Sequence, residues 1–255
     1  MIFLKSEQEL NSLRKASRIL AEVLEKIGKV AATIPGITTK ELDKLAERLI
    51  LERGAKPAFK GYRGFPCSLC ASINEEVVHG IPNSSRRLRS GDIVSLDLGV
   101  KLNGYYGDAA ITVPVGKISD EVRKLIKVTE DSLYEGIKQA RPGNRLSDIS
   151  HAIQSYVEKN GFSVVRDFSG HGIGRHLHEE PSIPNFGSPH RGIRLQRGML
   201  LAIEPMVNMG SFEVETLGNN WTVATRDHKP SAHFEHTIAV TDNEPEILTM
   251  MKKDS

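Results

Sequence analysis

Apolar residues recur at helical spacing through 6–33, where Leu10, Leu13, Ala16, Leu20, Val23, Leu24 and Ile27 fall on one face. A second helix is predicted over 39–53, closed by Gly54. Two more fit 119–140 and 146–160, the latter closed by Gly161. After each helix pair the pattern shifts to strand-like apolar runs: 92–101 and 105–115 in the first half, 199–208 and 233–241 in the second. The chain thus reads twice as two helices followed by two strands.

The two readings share residues as well as rhythm. Pro35-Gly36, Glu41, Leu42 and Gly54 match Pro142-Gly143, Asp148, Ile149 and Gly161 at an offset of 107. Leu88, Gly91, Ile93 and Asp97 match Leu195, Gly198, Leu200 and Glu204 at that same offset of 107. An unchanged offset across two separated blocks points to internal duplication, roughly 35–115 and 142–241. No Pro/Gly/Ser-rich linker divides the repeats, so the expectation is one merged α/β domain spanning 1–255. Its two halves would pack about a pseudo-twofold axis and bring Asp97 and Glu204 into a common central site.

Composition narrows the function classes. Of 255 residues, 39% are hydrophobic and 26% charged, ordinary for a soluble globular chain. A formal net charge of +2 makes no electrostatic case for nucleic acid, and Arg86, Arg87 and Arg89 read as a solvated turn. No apolar run approaches the ~20 residues that span a bilayer, and the N-terminal residues lack a signal peptide's apolar core. Cys67 and Cys70 form a single Cys-x-x-Cys without a partner pair, which reads as reduced thiols and favours the cytoplasm.

Asn103-Gly104 is a two-residue hairpin signal, since both residue types tolerate positive φ. With Leu102 opposite Tyr105, paired positions sum to 207, so Gly99 faces Asp108 and Asp97 faces Ala110. Asp97 and Asp108 become diagonal neighbours on one face of the ribbon. Two carboxylates so close, among Ile93, Val94, Leu96, Leu98, Ile111 and Val113, repel unless a proton or cation lies between them. Glu204 and Glu235 interrupt similar apolar runs. His171 stands between glycines in Ser169-Gly-His-Gly, which are expected to bend the backbone and expose the imidazole. Four carboxylates and one imidazole form an oxygen-rich set suited to Mn²⁺, Fe²⁺ or Co²⁺, and too large for one catalytic zinc. Two ions about 3.5–4 Å apart, sharing carboxylates, would accommodate them.

With these residues in view, the chain resembles the type I methionine aminopeptidases of peptidase family M24 along nearly its whole length. The resemblance rests on Ser72-Ile-Asn-Glu-Glu-Val-Val-His79-Gly-Ile-Pro, Gly91-Asp-Ile-Val-Ser-Leu-Asp97, Gly107-Asp108, Ser169-Gly-His171-Gly, His178-Glu-Glu-Pro, Ile203-Glu204-Pro and Phe234-Glu235-His-Thr. It implies the pita-bread fold, two pseudo-symmetric halves with a central antiparallel sheet and helices outside. It implies excision of the initiator methionine from nascent chains at the ribosome, before a small second residue, by a cytoplasmic monomer. Two divalent ions (Co²⁺, Mn²⁺, Fe²⁺ or Zn²⁺) would be held by Asp97, Asp108, His171, Glu204 and Glu235, with Asp108 and Glu235 bridging. Glu204 would also accept and return a proton, His178 would donate to the developing oxyanion, and His79 would contact the peptide nitrogen. Phe59, Tyr62, Phe65, Cys70, Leu177 and Trp221 would form the first-residue pocket, with His79 at its wall. Asn74 and Ser231 match positions that carry a monovalent cation, Na⁺ or K⁺, in some relatives. Leu177, His176 and Phe65 depart from the family's commoner residues, an aromatic, a glycine and a tyrosine. The length matches the short form, with no N-terminal extension. Rival readings are a proline-directed peptidase of the same fold, a non-catalytic peptide-binding module, and an unrelated metal-dependent phosphoesterase.

Overall fold

The computed structural model describes residues 2–250. Its four α-helices are α1 (Glu7–Thr33), α2 (Thr39–Glu52), α3 (Asp120–Lys138) and α4 (Leu146–Lys159), each ending within two residues of the predicted bounds. Their starts are chemically specified. The Ser6 hydroxyl accepts from the Glu9 amide while the Glu9 carboxylate accepts from the Ser6 amide, a reciprocal capping box. Thr38 and Glu41 repeat the device at α2. At α4 the Asp148 carboxylate takes the Arg145 amide at 2.7 Å.

Most of the amphipathic surface feeds two cores, one per half, while Leu10 and Leu13 of α1 pack in a third cluster with Ile173 and Leu200. Leu20, Val23 and Ile27 of α1 and Leu42, Ala46 and Leu49 of α2 pack on Leu69, Val94, Leu96 and Leu98 of the first-half strands. Leu125 and Leu133 of α3 and Ile149 and Ile153 of α4 pack on Ile183, Leu201, Ile203 and Ile238 of the second.

Between the helices and the site lies one nine-stranded antiparallel sheet. Its path runs Lys56–Pro57, Ile93–Leu102, Tyr105–Pro114, Glu235–Ala239, Leu200–Ile203, Ser169–Gly172, Glu179–Pro184. Leu69–Ile73 pairs beside Ile93–Leu102, and Glu246–Ile247 beside Glu235–Ala239. Two small sheets of three strands each flank it. The long hairpin follows the predicted register, with Leu102 opposite Tyr105, Gly99 opposite Asp108 and Asp97 opposite Ala110. Asn103 and Gly104 take φ of 49° and 85° to make its turn.

The second half departs from prediction. The runs 199–208 and 233–241 are each broken, into Leu200–Ile203 with Met206–Asn208 and into Ser231–His233 with Glu235–Ala239. In each run one piece joins the central sheet and the other a small one. Pro205 has no amide to extend a ladder, and the Phe234 amide crosses to the Pro205 carbonyl at 3.3 Å where both chains switch sheets. Local geometry also repeats between the halves. The bridge Thr38–Arg87 recurs as Arg145–Arg194, and Gly36, Gly54 and Gly91 share positive φ with Gly143, Gly161 and Gly198. Among the described residues no helix is long and apolar enough to cross a membrane.

Candidate metal centre

The sheet register converts distant residues into one cluster. Ala110 pairs with Asp97 on one side and Glu235 on the other, and Asp108 is two residues from Ala110 on the same strand. Period-two alternation therefore turns all three carboxylates to one face. Across the Glu235 strand, His236 pairs with Ile203, so the same register sets Glu204 opposite Glu235 where the strand ends at Pro205. His171 pairs with Ala202, diagonal to Glu204.

Within the central sheet the ladder between the halves is short. The Asp108 and Glu235 strands share only two paired positions, Glu235–Ala110 and His236–Ala109. Threonine hydroxyls extend the ladder at both ends. Thr237 Oγ1 donates to the Asp108 carbonyl (2.7 Å) and accepts its amide (3.1 Å). Thr112 Oγ1 donates to the His233 carbonyl (2.8 Å) and accepts its amide (2.9 Å). These pegs fix the backbone of Asp108 and of the segment entering Glu235. Thr237 lies inside the Phe-Glu-His-Thr motif, but its bonds depend on a strand 129 residues away, beyond the reach of local pattern.

The glycines around His171 act differently from expectation. Ser169–Gly172 is a strand, not a bend. A Cβ on Gly170 would lie 2.3 Å from the Ala202 carbonyl oxygen, and one on Gly172 2.2 Å from that of Glu180. The glycines allow two neighbouring backbones to approach, which draws the imidazole against the acids. His171 Nδ1 meets the Gly172 carbonyl at 2.9 Å, so that nitrogen carries the proton and Nε2 is left free. Nε2 lies 3.8 Å from Asp108 Oδ2 and 3.7 Å from Glu204 Oε1.

Electrostatics make the cluster untenable as bare anions. Burial, then repulsion from Asp97 and Glu204, drives the Asp108 pKa well above its ordinary value. Burial followed by neighbouring carboxylates does the same to Glu204 and Glu235. Burial pushes Asp97 up to about 7, and lowers His171 to about 4, which keeps the imidazole neutral and able to ligate. One oxygen each of Asp97, Asp108 and Glu235 is buried without a hydrogen-bond partner. Ligand atoms of Asp108, His171 and Glu235 all lie within 4.8 Å of one another. Orphaned buried oxygens beside a neutral imidazole are the donor set of a divalent cation, so these residues fit the metal that the chemistry demands.

All thirteen residues expected at the site line one cavity of about 160 Å³, joined by Arg63, which had no sequence signal. The ligand cluster forms one part. Phe59, Phe65, Cys70 and Leu177, all buried, form the apolar part. Trp221 sits edge-on to Phe65 (centroids 5.2 Å apart) and to His79 (6.2 Å). His79 holds a left-handed φ of 59°, and burial lowers its pKa. His178 stands at the mouth, its ring 4.2 Å from that of His171. Its pKa falls to about 3, through desolvation and then the nearby His171, Arg63 and His79.

Two further groups escaped sequence reasoning. His233 is buried behind Glu204, its Nε2 at 3.7 Å from Glu204 Oε2. Tyr62, expected only as pocket wall, also meets His178 Nδ1 with its hydroxyl at 2.8 Å. Asn74 and Ser231 lie outside the cavity and touch each other, the Ser231 amide donating to the Asn74 carbonyl at 2.8 Å.

Known proteins resemble this chain over nearly its whole length. The model of metallopeptidase family M24 matches residues 11–242. The chain is 59% identical over 249 residues to methionine aminopeptidase 1 of Bacillus subtilis, covering 98% of this chain and 99% of that protein. The crystal structure of methionine aminopeptidase from Rickettsia prowazekii superposes with a TM-score of 0.95 at 44% identity, covering 98% of this chain and 100% of that one. The prolidase from Pyrococcus horikoshii shares the fold, with a TM-score of 0.78 at 22% identity, but this chain covers only 64% of it.

Proposed function

The chain belongs to metallopeptidase family M24, and from that premise we propose that it removes the N-terminal methionine from peptides and nascent proteins, preferring a small second residue. The observation carrying this reading is a single cavity in which a cation-demanding cluster opens onto an apolar pocket. Beside the ligand cluster, the apolar part of the cavity, walled by Phe59, Phe65, Cys70 and Leu177, suits methionine's flexible thioether. Aromatic edges at Phe65 and Trp221 favour sulfur contacts.

Asp97, Asp108, His171, Glu204 and Glu235 would hold two divalent ions. Bound divalent ions supply Lewis acidity and a water acidified to near-neutral pKa. Glu204, set at the strand break, accepts the proton from the attacking water and returns it to the leaving amine. His178 donates a hydrogen bond to the carbonyl oxygen as charge develops there. His79 contacts the scissile nitrogen from the pocket wall. The apolar wall excludes water from the methionine side chain and orients the first peptide bond over the acids.

The reading extends to a cytoplasmic monomer acting at the ribosome, consistent with free, buried Cys67 and Cys70. The same reading carries a structural Na⁺ or K⁺ beside Asn74 and Ser231, whose backbones meet. The repeated bridge and repeated left-handed glycines support one catalytic domain built from an internal duplication.

The test is cleavage of Met-Gly-Met-Met, its N-acetylated form and an Xaa-Pro peptide by metal-loaded protein. Release of methionine from the first alone is expected. Equal cleavage of the acetylated peptide would remove the aminopeptidase reading, and activity confined to Xaa-Pro would transfer the chain to proline-directed chemistry.

A further inference from the structure

His178 is presented by a segment whose backbone is already fixed. The Glu179 carboxylate accepts from the amides of Arg175 (2.7 Å) and His176 (3.0 Å) through one oxygen and from Lys5 Nζ (2.7 Å) through the other. Lys5 is itself buried and bonded through its amide to the Gly198 carbonyl. Leu177, the other neighbour, is 2% exposed. What this anchoring leaves open is the orientation of the imidazole and the nitrogen that carries its proton.

Tyr62 supplies both constraints. Its ring stacks on that of His178, with centroids 5.3 Å apart and planes 25° from parallel. Its hydroxyl lies 2.8 Å from Nδ1 and has no other hydrogen-bond partner among the described residues. Tyr62 is held in turn by a tight turn, its amide on the Phe59 carbonyl (2.9 Å) and its own carbonyl on the Phe65 amide (2.9 Å). An apolar pocket wall would be served equally by phenylalanine, because a phenol turned toward apolar surroundings loses hydration unless it finds a partner.

We infer that the Tyr62 hydroxyl is a positioning group: it donates to His178 Nδ1 and thereby keeps the ring proton on Nε2, the nitrogen left to donate to substrate. A neutral imidazole has one N–H and one lone pair. Were the proton on Nδ1, the phenol would accept it and a lone pair would face the carbonyl oxygen as negative charge grows. With the phenol as donor, both ring nitrogens and the hydroxyl are used at once. The inference rests on the reading of His178 given above.

The experiment compares Tyr62→Phe, His178→Ala and the double variant, each metal-loaded, on Met-Gly-Met-Met. The ¹⁵N shifts of His178 report its tautomer. One net hydrogen bond corresponds to a roughly 2–10-fold change in rate. Tyr62→Phe is expected to lose kcat within that range, with metal content and KM close to wild type. Its His178 should shift from the Nε2–H tautomer to a mixture. In the His178→Ala background the same change should have no effect on kcat. A wild-type kcat in Tyr62→Phe, an unchanged tautomer there, or an Nδ1–H tautomer in the wild type would each overturn the inference. So would a further loss in the double variant, which would give the Tyr62 hydroxyl a role independent of His178. Wild-type turnover in His178→Ala would instead overturn the parent reading, and the inference with it.

Discussion

Replacing Gly170 by alanine adds one methyl group, and the structure says where the strain goes. The new Cβ would sit 2.3 Å from the Ala202 carbonyl oxygen and 3.4 Å from Ile183 Cβ. The first neighbour is backbone and cannot rotate away. Reaching even a 3.0 Å contact needs about 0.7 Å of separation between the His171 and Glu204 strands. Overpacking of this kind destabilises by about 1–3 kcal/mol, and each kcal/mol lowers Tm by roughly 2–4 °C in a chain of this size. Ala202 is also the residue paired with His171, so the displacement acts on a ligand. If metal binding must restore the original spacing, the same strain weakens affinity by up to roughly 5–150-fold. Calorimetric titration of chelated protein with Mn²⁺ or Co²⁺ measures that loss, and thermal unfolding in chelator measures the strain alone. Gly143→Ala is the control. Gly143 has φ of +94° but nothing within 4 Å of an added Cβ, so alanine there costs about 1–2 kcal/mol of backbone strain with metal affinity unchanged. Wild-type metal affinity in Gly170→Ala, or equal weakening in Gly143→Ala, would refute the close-approach argument.

Glu235→Ala should abolish metal retention and peptidase activity together, and wild-type metal content by elemental analysis would dismiss Glu235 as a ligand. Thr237→Val keeps the shape but leaves the buried Asp108 amide and carbonyl without the hydroxyl they share. At about 1–3 kcal/mol for each orphaned group, a loss under 1 kcal/mol in chemical denaturation would contradict the peg. The carboxylates also predict a pH dependence of fixed sign. In the metal-free protein Asp97 is held up to about 7 and Asp108, Glu204 and Glu235 well above their ordinary values. The folded state therefore binds more protons than the unfolded one between the ordinary carboxylate range and neutrality, and stability of the chelated protein falls as pH rises through that window. Metal binding near pH 7 should release protons, detected as a binding enthalpy that varies with buffer ionisation enthalpy; an enthalpy independent of buffer would oppose it.

The four helices and the long hairpin were legible because their signals are local: one apolar stripe, a capping residue, and a turn dipeptide that tolerates positive φ. The acids were legible for a related reason. Asp97, Asp108, Glu204 and Glu235 each interrupt an apolar run, where a charge without a partner has no stable place. Legibility ends where one residue's role depends on a distant backbone. The glycines flanking His171 suggest a bend from composition alone, and only Ala202 and Glu180 beside them reveal close approach. Tyr62 reads as a wall because the atom its hydroxyl meets is 116 residues away. The strand breaks at Pro205 and Phe234 escaped because apolar runs continue through both, although proline already forbids an unbroken ladder.

Those breaks explain why the site lies where it does. Within the central sheet the halves meet through two ladder positions and two threonine pegs, a narrow seam for a sheet of nine strands. Asp97 and Asp108 come from one side of it; His171, Glu204 and Glu235 come from the other. Repulsion among the carboxylates pushes the seam apart unless protons or cations neutralise them. A cation held there acts on both halves at once, and because the unfolded chain offers no such cluster, its binding free energy adds to the stability of the fold. The groups suited to activating water are thus also those whose neutralisation closes the central sheet, so catalytic competence and cohesion of that sheet depend on the same ligands.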